Sequence, residues 1–385
     1  MDFAFTQAQL DVEEKARKFA ALEIAPVVGK LEEDLVLRQE IFQRMAQLGF
    51  MLMCVPKEQG GSYSDHLCYA LALKSIASVD AGIAVSMSVI NMIAEVIAKY
   101  GTPAQVEKYI SNIRKGIGLP LSFALTEKES GSDAKSIRTL ATVDPKDKNY
   151  YLLNGSKQFI TNADTAGMVL VLAKTDGNQD AHGMTAFLLD EGTEGFKIVK
   201  KEGKLGLLSA NLVDFVLENC RISKDQILGH VGQGFEIALR ALDAGRIGIS
   251  AQALGIAEAA YEAALKHSKM RYQFGHALAD NQIIAFKLAD MFVKLNAAQG
   301  LLYKACWHKD QEKEVNLNAS VAKVYCTESA IEIVNEALQI FGGYGYVKDY
   351  PLERYYRDVR VTTLYEGTSE IQRLIISRAL LHEGH

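Results

Sequence analysis

The sequence predicts an α+β multidomain protein with three consecutive parts: helical, then β-rich, then helical again. The prolines divide the chain, since five of the 6 lie at or before position 145. Short β-branched and aromatic runs separated by Gly, Asn and Asp crowd into the middle, and long Ala- and Leu-rich patterns with helical spacing follow Gly234. The length of 385 residues agrees with several parts, because single hydrophobic cores stop growing near roughly 250–300 residues.

Residues 1–118 are predicted to form a helical N-terminal domain. Thr6 with Gln9, and Thr102 with Gln105, have the spacing of capping boxes at helix starts. Residues 67–77 and 81–100 are apolar enough to form mostly buried helices.

Residues 119–228 are predicted to form a central antiparallel β barrel or sandwich. No helical stretch of about ten residues separates the strand-like runs, which excludes an alternating β-α-β arrangement. These runs lie at 121–125, 139–143, 150–153, 157–161, 168–175, 184–190 and 213–218.

Residues 229–385 are predicted to form a bundle of long helices. The helical patterns cover 235–267, 280–309 and 315–341 with almost no proline, and each presents an apolar stripe.

Composition and missing motifs exclude several classes of protein. The 42 basic and 47 acidic side chains give a net charge of −5 without long like-charge blocks, which argues against a nucleic-acid-binding protein. The 5 cysteines are scattered without a CxxC pair, so we expect neither a disulfide framework nor a zinc ribbon, and we assign no metal ligands. GxGxxG, GxxxxGK[ST] and GxSxG are absent. No apolar run of roughly 18–20 residues and no targeting segment is recognised, so we expect a cytoplasmic protein without a membrane span.

Four local strings contain side chains suited to binding or catalysis. FALTEKESGSD at 123–133 ends a strand in a hydroxyl-rich loop that suits a heteroaromatic edge and a phosphate. KQFITN at 157–162 places an aromatic ring and a hydroxyl on one strand face, and RYQFG at 271–275, followed by Gln282, places a cation beside a helix break. The fourth string has two pieces, QIFGGYGY at 339–346 and LYEGTSEIQ at 364–372. Taken singly, each is also compatible with an ordinary turn, strand, helix end or solvated loop.

Taken together and in this order, the strings resemble the acyl-CoA dehydrogenase family, most closely its short-chain or butyryl-type bacterial members. The resemblance runs from end to end and includes LDAGRIGISAQALGIAEAA at 242–260 and PLERYYRD at 351–358. It implies a helical domain, a β domain and a C-terminal four-helix bundle, assembled as a homotetramer. The residues by themselves predict the same order of parts.

The resemblance also implies FAD, bound non-covalently between the β domain and the bundle. Residues matching its FAD-binding positions are Phe123, Thr126, Ser132, Phe159, Ile160, Thr161, Arg271, Phe274, Gln282, Gln339, Gly342, Gly343, Thr368 and Glu370. Arg271 and Gln282 would reach the FAD of a neighbouring subunit. Residues matching the acyl-CoA positions are Ser132, Asp243, Arg246 and Gly367, and Glu366 matches the catalytic base.

The implied reaction is dehydrogenation of an acyl-CoA to the trans-2-enoyl-CoA, with an electron-transfer flavoprotein as the electron acceptor. Glu366 would take the weakly acidic α-proton, which requires a general base, and FAD would take the β-hydride. Some branched- and long-chain members carry their base in an LDxER string on a bundle helix. This chain has Gly245 at that place, so we expect Glu366 to be the base.

Several positions depart from the family pattern, and two alternatives remain open. Lys128, Glu129 and Ser130 change the usual TEPxAGSD loop, and Ala210 and Leu212 stand where a Ser and a Thr are common. These departures favour a bulky, cyclic or unusual acyl group over plain butyryl, and candidate wall residues of its pocket are Ser88, Val89, Ile90 and Asn91. The alternatives are an enoyl-CoA reductase using the same chemistry in reverse and a catalytically silent acyl-CoA- or flavin-binding relative.

Overall fold

The computed structural model describes residues 4–62, 65–175 and 183–382, which form three consecutive parts in the predicted order. Both predicted capping boxes are confirmed, at Thr6 with Gln9 and at Thr102 with Gln105. A π-helical turn and a 3-10 segment follow the first helix. The helices of the first part are α1 (Gln7–Phe19), α2 (Leu35–Gln47), α3 (His66–Ala77), α4 (Ala81–Tyr100) and α5 (Pro103–Lys115).

Helix α4 is as long and as apolar as a membrane-spanning helix, which corrects the expectation from sequence that no run reaches this length. Isolated polar residues such as Ser86 and Asn91 interrupt its apolar run in the sequence without lowering its mean hydropathy enough to fail the test. In the structure 94% of its most apolar window is buried inside the protein. The helix therefore forms the centre of the helical core.

The second part is an eight-stranded mixed sheet. Its strands are β1 (Leu121–Ala124), β2 (Leu140–Val143), β3 (Tyr150–Thr161), β4 (Met168–Thr175), β5 (Met184–Asp190), β6 (Phe196–Lys201), β7 (Leu212–Ser223) and β8 (Ile227–Leu228). The strand order is β6-β7-β3-β2-β4-β5-β8, and β1 also pairs with β4. Most pairs are antiparallel as expected, but β1 and β2 both pair in parallel with β4. Alternation within a strand does not encode its lateral neighbour, so the sequence did not reveal these two pairs.

The strands differ from the sequence prediction in several details, one of which is the unpredicted two-residue strand β8. The runs 150–153 and 157–161 form one strand, β3, with register shifts after Leu153 and after Lys157. Strand β6 was not predicted, because its lysine-rich sequence has little apolar alternation. It is almost wholly exposed and pairs along one side with β7, which is typical of a charged edge strand.

The third part is the predicted helical bundle. Its helices are α6 (Gly234–Met270), α7 (Gln282–Asp310), α8 (Val315–Phe341), α9 (Gly343–Tyr346), α10 (Leu352–Val359) and α11 (Ser369–His382). A short hairpin (residues 272–277) separates α6 from α7, and α8 packs against α6, α7 and α11. Helix α6 also packs against α3 and α4, which joins the bundle to the first part.

Buried polar contacts join the first part to the sheet. The Arg38 guanidinium donates to the carbonyl of Ser209 at 2.9 Å and to Oδ1 of Asn211 at 3.0 Å. The Asn162 amide donates to Oγ of Ser86 at 2.9 Å. The proposed boundaries at 118/119 and 228/229 lie between regular elements and stay predictions.

Candidate active site

A cavity of about 630 Å³ lies between the sheet, helices α4, α6 and α11, and the loop before α11. Its wall brings together residues from three of the four sequence strings and from α6. Among the predicted site residues it contains Phe123, Thr126, Ser132, Phe159, Ile160, Thr161, Arg246, Glu366 and Gly367. Of the four candidate wall residues on α4, Val89 lines it. The cavity is therefore the candidate active site.

Glu366 extends its carboxylate into a buried part of this site. Its Oε2 atom is buried and has no hydrogen-bond partner among the residues that the structure describes. Burial raises the pKa of Glu366 to about 7, and the positive charges of Arg246 and Lys323 partly oppose this rise. Such a carboxylate is available to accept a proton near neutral pH.

Two buried side chains hold the loop that contains Glu366. Glu366 and Gly367 both have left-handed backbone conformations, with φ of 54° and 86°. Nε2 of Gln372 donates to the carbonyls of Glu366 at 3.1 Å and of Gly367 at 2.9 Å. Nζ of Lys323 donates to the same Gly367 carbonyl at 2.8 Å. These contacts stabilise a backbone conformation that a glutamate rarely adopts.

Arg246 is a second polar group of the cavity wall. It is 4% exposed, and its Nη1 contacts Oδ1 of Asp243 at 2.7 Å and Oδ1 of Asn316 at 2.5 Å. Asp243 does not line the cavity itself, and its contact with Arg246 is one helical turn along α6. Asp243 therefore balances the charge of Arg246 from outside the cavity wall.

A buried ion pair organises the β side of the cavity. Nζ of Lys157 donates to Oε1 of Glu127 at 2.8 Å and to the carbonyl of Leu125 at 3.0 Å. Glu127 also accepts the backbone N–H groups of Arg138 at 2.5 Å and Thr139 at 3.0 Å. Although burial raises the pKa of Glu127, the Lys157 charge and these hydrogen bonds hold it below its ordinary value. The pair links the loop after β1 to β3.

Phe159 lies on the bulge of β3 and faces the cavity. Its φ is 58° and the residue is 54% exposed, while its N–H donates to Oδ1 of Asp214 at 2.9 Å. One residue earlier, the N–H of Gln158 donates to the carbonyl of Thr126 at 3.0 Å. The first two sequence strings are therefore adjacent, and the bulge presents an aromatic face beside the threonine hydroxyls.

The other predicted FAD-binding residues do not line this cavity. Thr368 lies directly before α11 and accepts the N–H of Ile371 at 3.3 Å, and Glu370 follows two residues later within that helix. Arg271 lies over the ring of Tyr344 at 5.4 Å, so the third string lies beside the glycine-rich fourth string. The outlying group comprises Arg271, Phe274, Gln282, Gln339, Gly342 and Gly343, and most of it is exposed.

Family models match nearly the whole chain. The N-terminal domain of acyl-CoA dehydrogenase matches residues 6–116, its middle domain residues 122–220 and its C-terminal domain residues 232–381. The chain belongs to the acyl-CoA dehydrogenase family. Its members are FAD-dependent oxidoreductases acting on CH–CH bonds, so this chain is an FAD-dependent acyl-CoA dehydrogenase.

Relatives and a solved structure within this family cover the chain from end to end. The acyl-CoA dehydrogenase of Bacillus subtilis is 44% identical over 98% of each chain. The caffeyl-CoA reductase–Etf complex subunit CarC of Acetobacterium woodii is 41% identical over 98% of this chain and 99% of its own. The structure of butyryl-CoA dehydrogenase from Megasphaera elsdenii has a TM-score of 0.94 and 41% identity, covering 99% of this chain and 100% of its own.

The residues of the acyl-CoA dehydrogenase cavity fit a flavin. The exposed ring of Phe159 and the apolar side chains of Phe123 and Ile160 suit a flat aromatic ring system. The hydroxyls of Thr126 and Thr161 in the same wall suit its polar edge. These side chains therefore fit the FAD that members of the family bind.

The structure shows where four of the sequence departures of this acyl-CoA dehydrogenase lie. Glu129 pairs with Arg138 on the surface, and Ser130 donates to the carbonyl of Asp133 at 2.5 Å, which closes the loop without a proline. Ala210 is buried against Gly82 of α4, in the contact between the first part and the sheet. Leu212 begins β7. None of these residues lines the cavity.

Sequence reasoning missed Lys323 and the role of Gln372. Lys323 lies in the middle of α8 and looks like an ordinary helical lysine in the sequence. Gln372 ends the last string but was not assigned a role. Burial of both side chains, 0% exposed, is the signal that only the fold provides.

Proposed function

We propose that this acyl-CoA dehydrogenase uses Glu366 to remove the α-proton of its acyl-CoA thioester. The observation that carries the proposal is the burial of the Oε2 atom of Glu366, which has no hydrogen-bond partner among the described residues. Glu366 also lines the cavity. An ionised carboxylate without hydrogen-bond donors is a stronger base than one in water. Its pKa of about 7 suits a general base near neutral pH.

The other cavity residues would bind the substrate and restrain its geometry. Arg246 supplies a buried charge balanced by Asp243, and with Ser132 and Gly367 it would hold the thioester. With the substrate bound, the apolar side chains of the wall would exclude water from the carboxylate and so maintain its basicity. When bound, FAD accepts the hydride from the β-carbon.

FAD would be held by two groups of residues. Phe123, Thr126, Ser132, Phe159, Ile160 and Thr161 would contact the flavin half, and Thr368 and Glu370 its edge. In the outlying group, Arg271 and Gln282 would reach the FAD diphosphate of a neighbouring subunit in a homotetramer, and Gln339, Gly342 and Gly343 would form the turn at the adenosine. The exposure of this group supports a subunit contact, since Phe274 is 96% exposed in a single chain. Exposed aromatic rings of this kind are typical of subunit contacts.

We further propose that an electron-transfer flavoprotein takes the electrons and that the enzyme works in the cytoplasm. A relative of this chain, CarC, is named as a subunit of a reductase–Etf complex, which supports such a partner. The same name supports a second candidate function, the reduction of an enoyl-CoA by the reverse chemistry. In that direction Glu366 would deliver a proton to the α-carbon.

An anaerobic flavin-bleaching screen tests the proposal. Purified holoenzyme is mixed with linear, branched and cyclic acyl-CoA thioesters, and bleaching of the yellow flavin absorbance identifies substrates. The Glu366→Gln variant should retain FAD and bind the thioester but lose bleaching, and single-turnover bleaching by this variant would contradict the assignment. Adding enoyl-CoA to the dithionite-reduced enzyme measures the reverse rate and so compares the two candidate directions.

A further inference from the structure

Lys323 is a buried cation next to the loop of the base. It lies in the middle of α8 and is 0% exposed. Its ammonium donates to the carbonyl of Gly367 at 2.8 Å, and among the described residues no carboxylate lies within ion-pair distance of it. An ammonium in a protein interior is costly unless it is paired, so a lysine in this position calls for a specific explanation.

The contact of Lys323 is with the peptide that follows the base. Glu366 and Gly367 both have positive φ, and the carbonyl of Gly367 accepts from Lys323 and from Gln372. A Cβ at position 367 would lie 2.5 Å from Nε2 of Gln372, so the loop and its support are closely fitted. Without these donors the loop could leave its left-handed conformation, and the carboxylate would move with it.

Charged and titratable groups reach Glu366 from several elements. Arg246 of α6 and Lys323 of α8 favour its ionised form, while Tyr69 of α3 and the adjacent Tyr365 interact with it through space. The charge of Arg246 is already balanced by Asp243 at 2.7 Å. Lys323 donates to a neutral carbonyl instead. Lys323 is therefore the facing cation whose charge no ion pair cancels among the described residues.

Among the described residues, the acidic groups around Lys323 do not form an ion pair with it. Besides Glu366, the carboxylates that act on it are Glu370 and Glu328. Glu370 is exposed at the start of α11, and both oxygens of Glu328 accept from Arg373 at 2.7 Å. Burial lowers the pKa of Lys323 to about 8, so it keeps its proton over most of the range in which Glu366 titrates.

We propose that Lys323 is the positioning residue of the base: it holds the peptide after Glu366 and, through its uncancelled charge, favours the ionised carboxylate. This inference rests on the proposed role of Glu366. Lys323 is not among the residues that line the cavity. It acts through Glu366.

Two substitutions separate the hydrogen bond from the charge. Lys323→Gln keeps a donor for the Gly367 carbonyl but removes the charge, and Lys323→Met removes both. Lys74→Met is the matched control, because Lys74 is also buried, at 4% exposure, but pairs with Glu258 at 3.0 Å and Glu13 at 3.2 Å outside the cavity. Each variant is prepared as holoenzyme, and its FAD content and thermal midpoint are recorded.

The first measurement is the pH dependence of the single-turnover flavin-bleaching rate at saturating acyl-CoA. Its acid limb should move up by about one pH unit in both Lys323 variants, because an opposite charge that stabilised the carboxylate has gone. The plateau rate should fall about 10-fold in Lys323→Met and stay near wild type in Lys323→Gln. Lys74→Met should keep the wild-type acid limb even if its thermal midpoint falls.

The second measurement does not require turnover. Infrared difference spectra between each protein and its Glu366→Gln counterpart report the carboxylate of Glu366 as pH is varied. If the pKa of Glu366 is higher in Lys323→Gln than in wild type, the inference is supported. Failure of every acyl-CoA to bleach the flavin would reject the proposed function, but it would leave this infrared result valid. If Glu366 titrates at the wild-type pH in a folded Lys323→Gln holoenzyme, the inference is wrong.

Discussion

Gly245 of α6 lies directly against the carboxylate of Glu366. A Cβ at position 245 would lie 2.5 Å from Oε2 of Glu366 and 3.3 Å from Sδ of Met92. Position 245 is the place where the LDxER string carries a carboxylate, and Glu366 is the loop glutamate of the YEGTSEIQ string. Side chains at positions 245 and 366 would therefore occupy the same space. In this chain the carboxylate of Glu366 occupies it, because Gly245 has no side chain.

The Gly245→Ala substitution should impair the base. The added methyl group displaces the Glu366 carboxylate, and a displacement of about 1 Å at a reacting group can lower the rate about 100-fold. We expect the single-turnover bleaching rate to fall by roughly this factor with FAD content unchanged. Gly300→Ala in α7 is the control, because nothing lies within 4 Å of a Cβ built there, and its rate should equal that of wild type. Equal rates for both variants would contradict the close contact.

The Glu366→Gln substitution should change the pH dependence of stability. An unfolded glutamate titrates near about 4.3, whereas the folded pKa is about 7. Between these values the folded state holds a proton that the unfolded state has lost, so the stability of the wild type falls as pH rises. The thermal midpoint of the variant relative to wild type should therefore rise from pH 5 to pH 8 and then level off. A constant difference would show that the buried carboxylate titrates normally.

The Lys157→Met substitution should weaken FAD binding and lower the stability of the β-rich second part. It leaves the Glu127 carboxylate buried without its cation, and breaking a buried ion pair typically costs about 3–5 kcal/mol. We expect a lower thermal midpoint and faster loss of FAD on dilution, followed by flavin fluorescence. Lys197→Met breaks an exposed pair with Glu218, 2.6 Å apart, and should change the midpoint little. A larger effect at Lys197 than at Lys157 would reverse this ranking.

The Arg271→Ala substitution should lower FAD affinity although the residue does not line the cavity. An arginine is well suited to a diphosphate, so its loss should weaken FAD binding by about 10-fold or more. Equilibrium binding of FAD to the apoprotein measures this effect. Lys269→Ala removes an exposed cation two residues earlier on α6 and is the matched control. Unchanged affinity in Arg271→Ala would remove this residue from the proposed FAD site.

The order of parts and most individual elements could be predicted because their signals are local. Capping boxes at Thr6 and Thr102 and the long patterns of α6, α7 and α8 depend on residues a few positions apart. Strand β6 was missed because its lysine-rich edge lacks an apolar face. The parallel pairs of β1 and β2 with β4 were missed because lateral order depends on the packing of the whole sheet.

The candidate site could be predicted only where residues belong to recognisable strings. Glu366, Arg246 and the predicted site residues of the first two strings line one cavity. Gln339 and Gly342 do not line it, and their assignment depends on the family resemblance. Lys323 carried no signal, since a lysine in a helical pattern normally lies on the solvated face.

The sequence by itself determined the three parts, the family and the residue types that chemistry at a thioester requires, because these are written in local spacing and composition. Only the tertiary structure decided the surroundings of the base. Gly245, Lys323 and Gln372 come from three different helices, and their packing determines the space, the charge and the backbone conformation of Glu366. Burial and through-space charge arise from contacts between distant segments, which no short string of residues encodes.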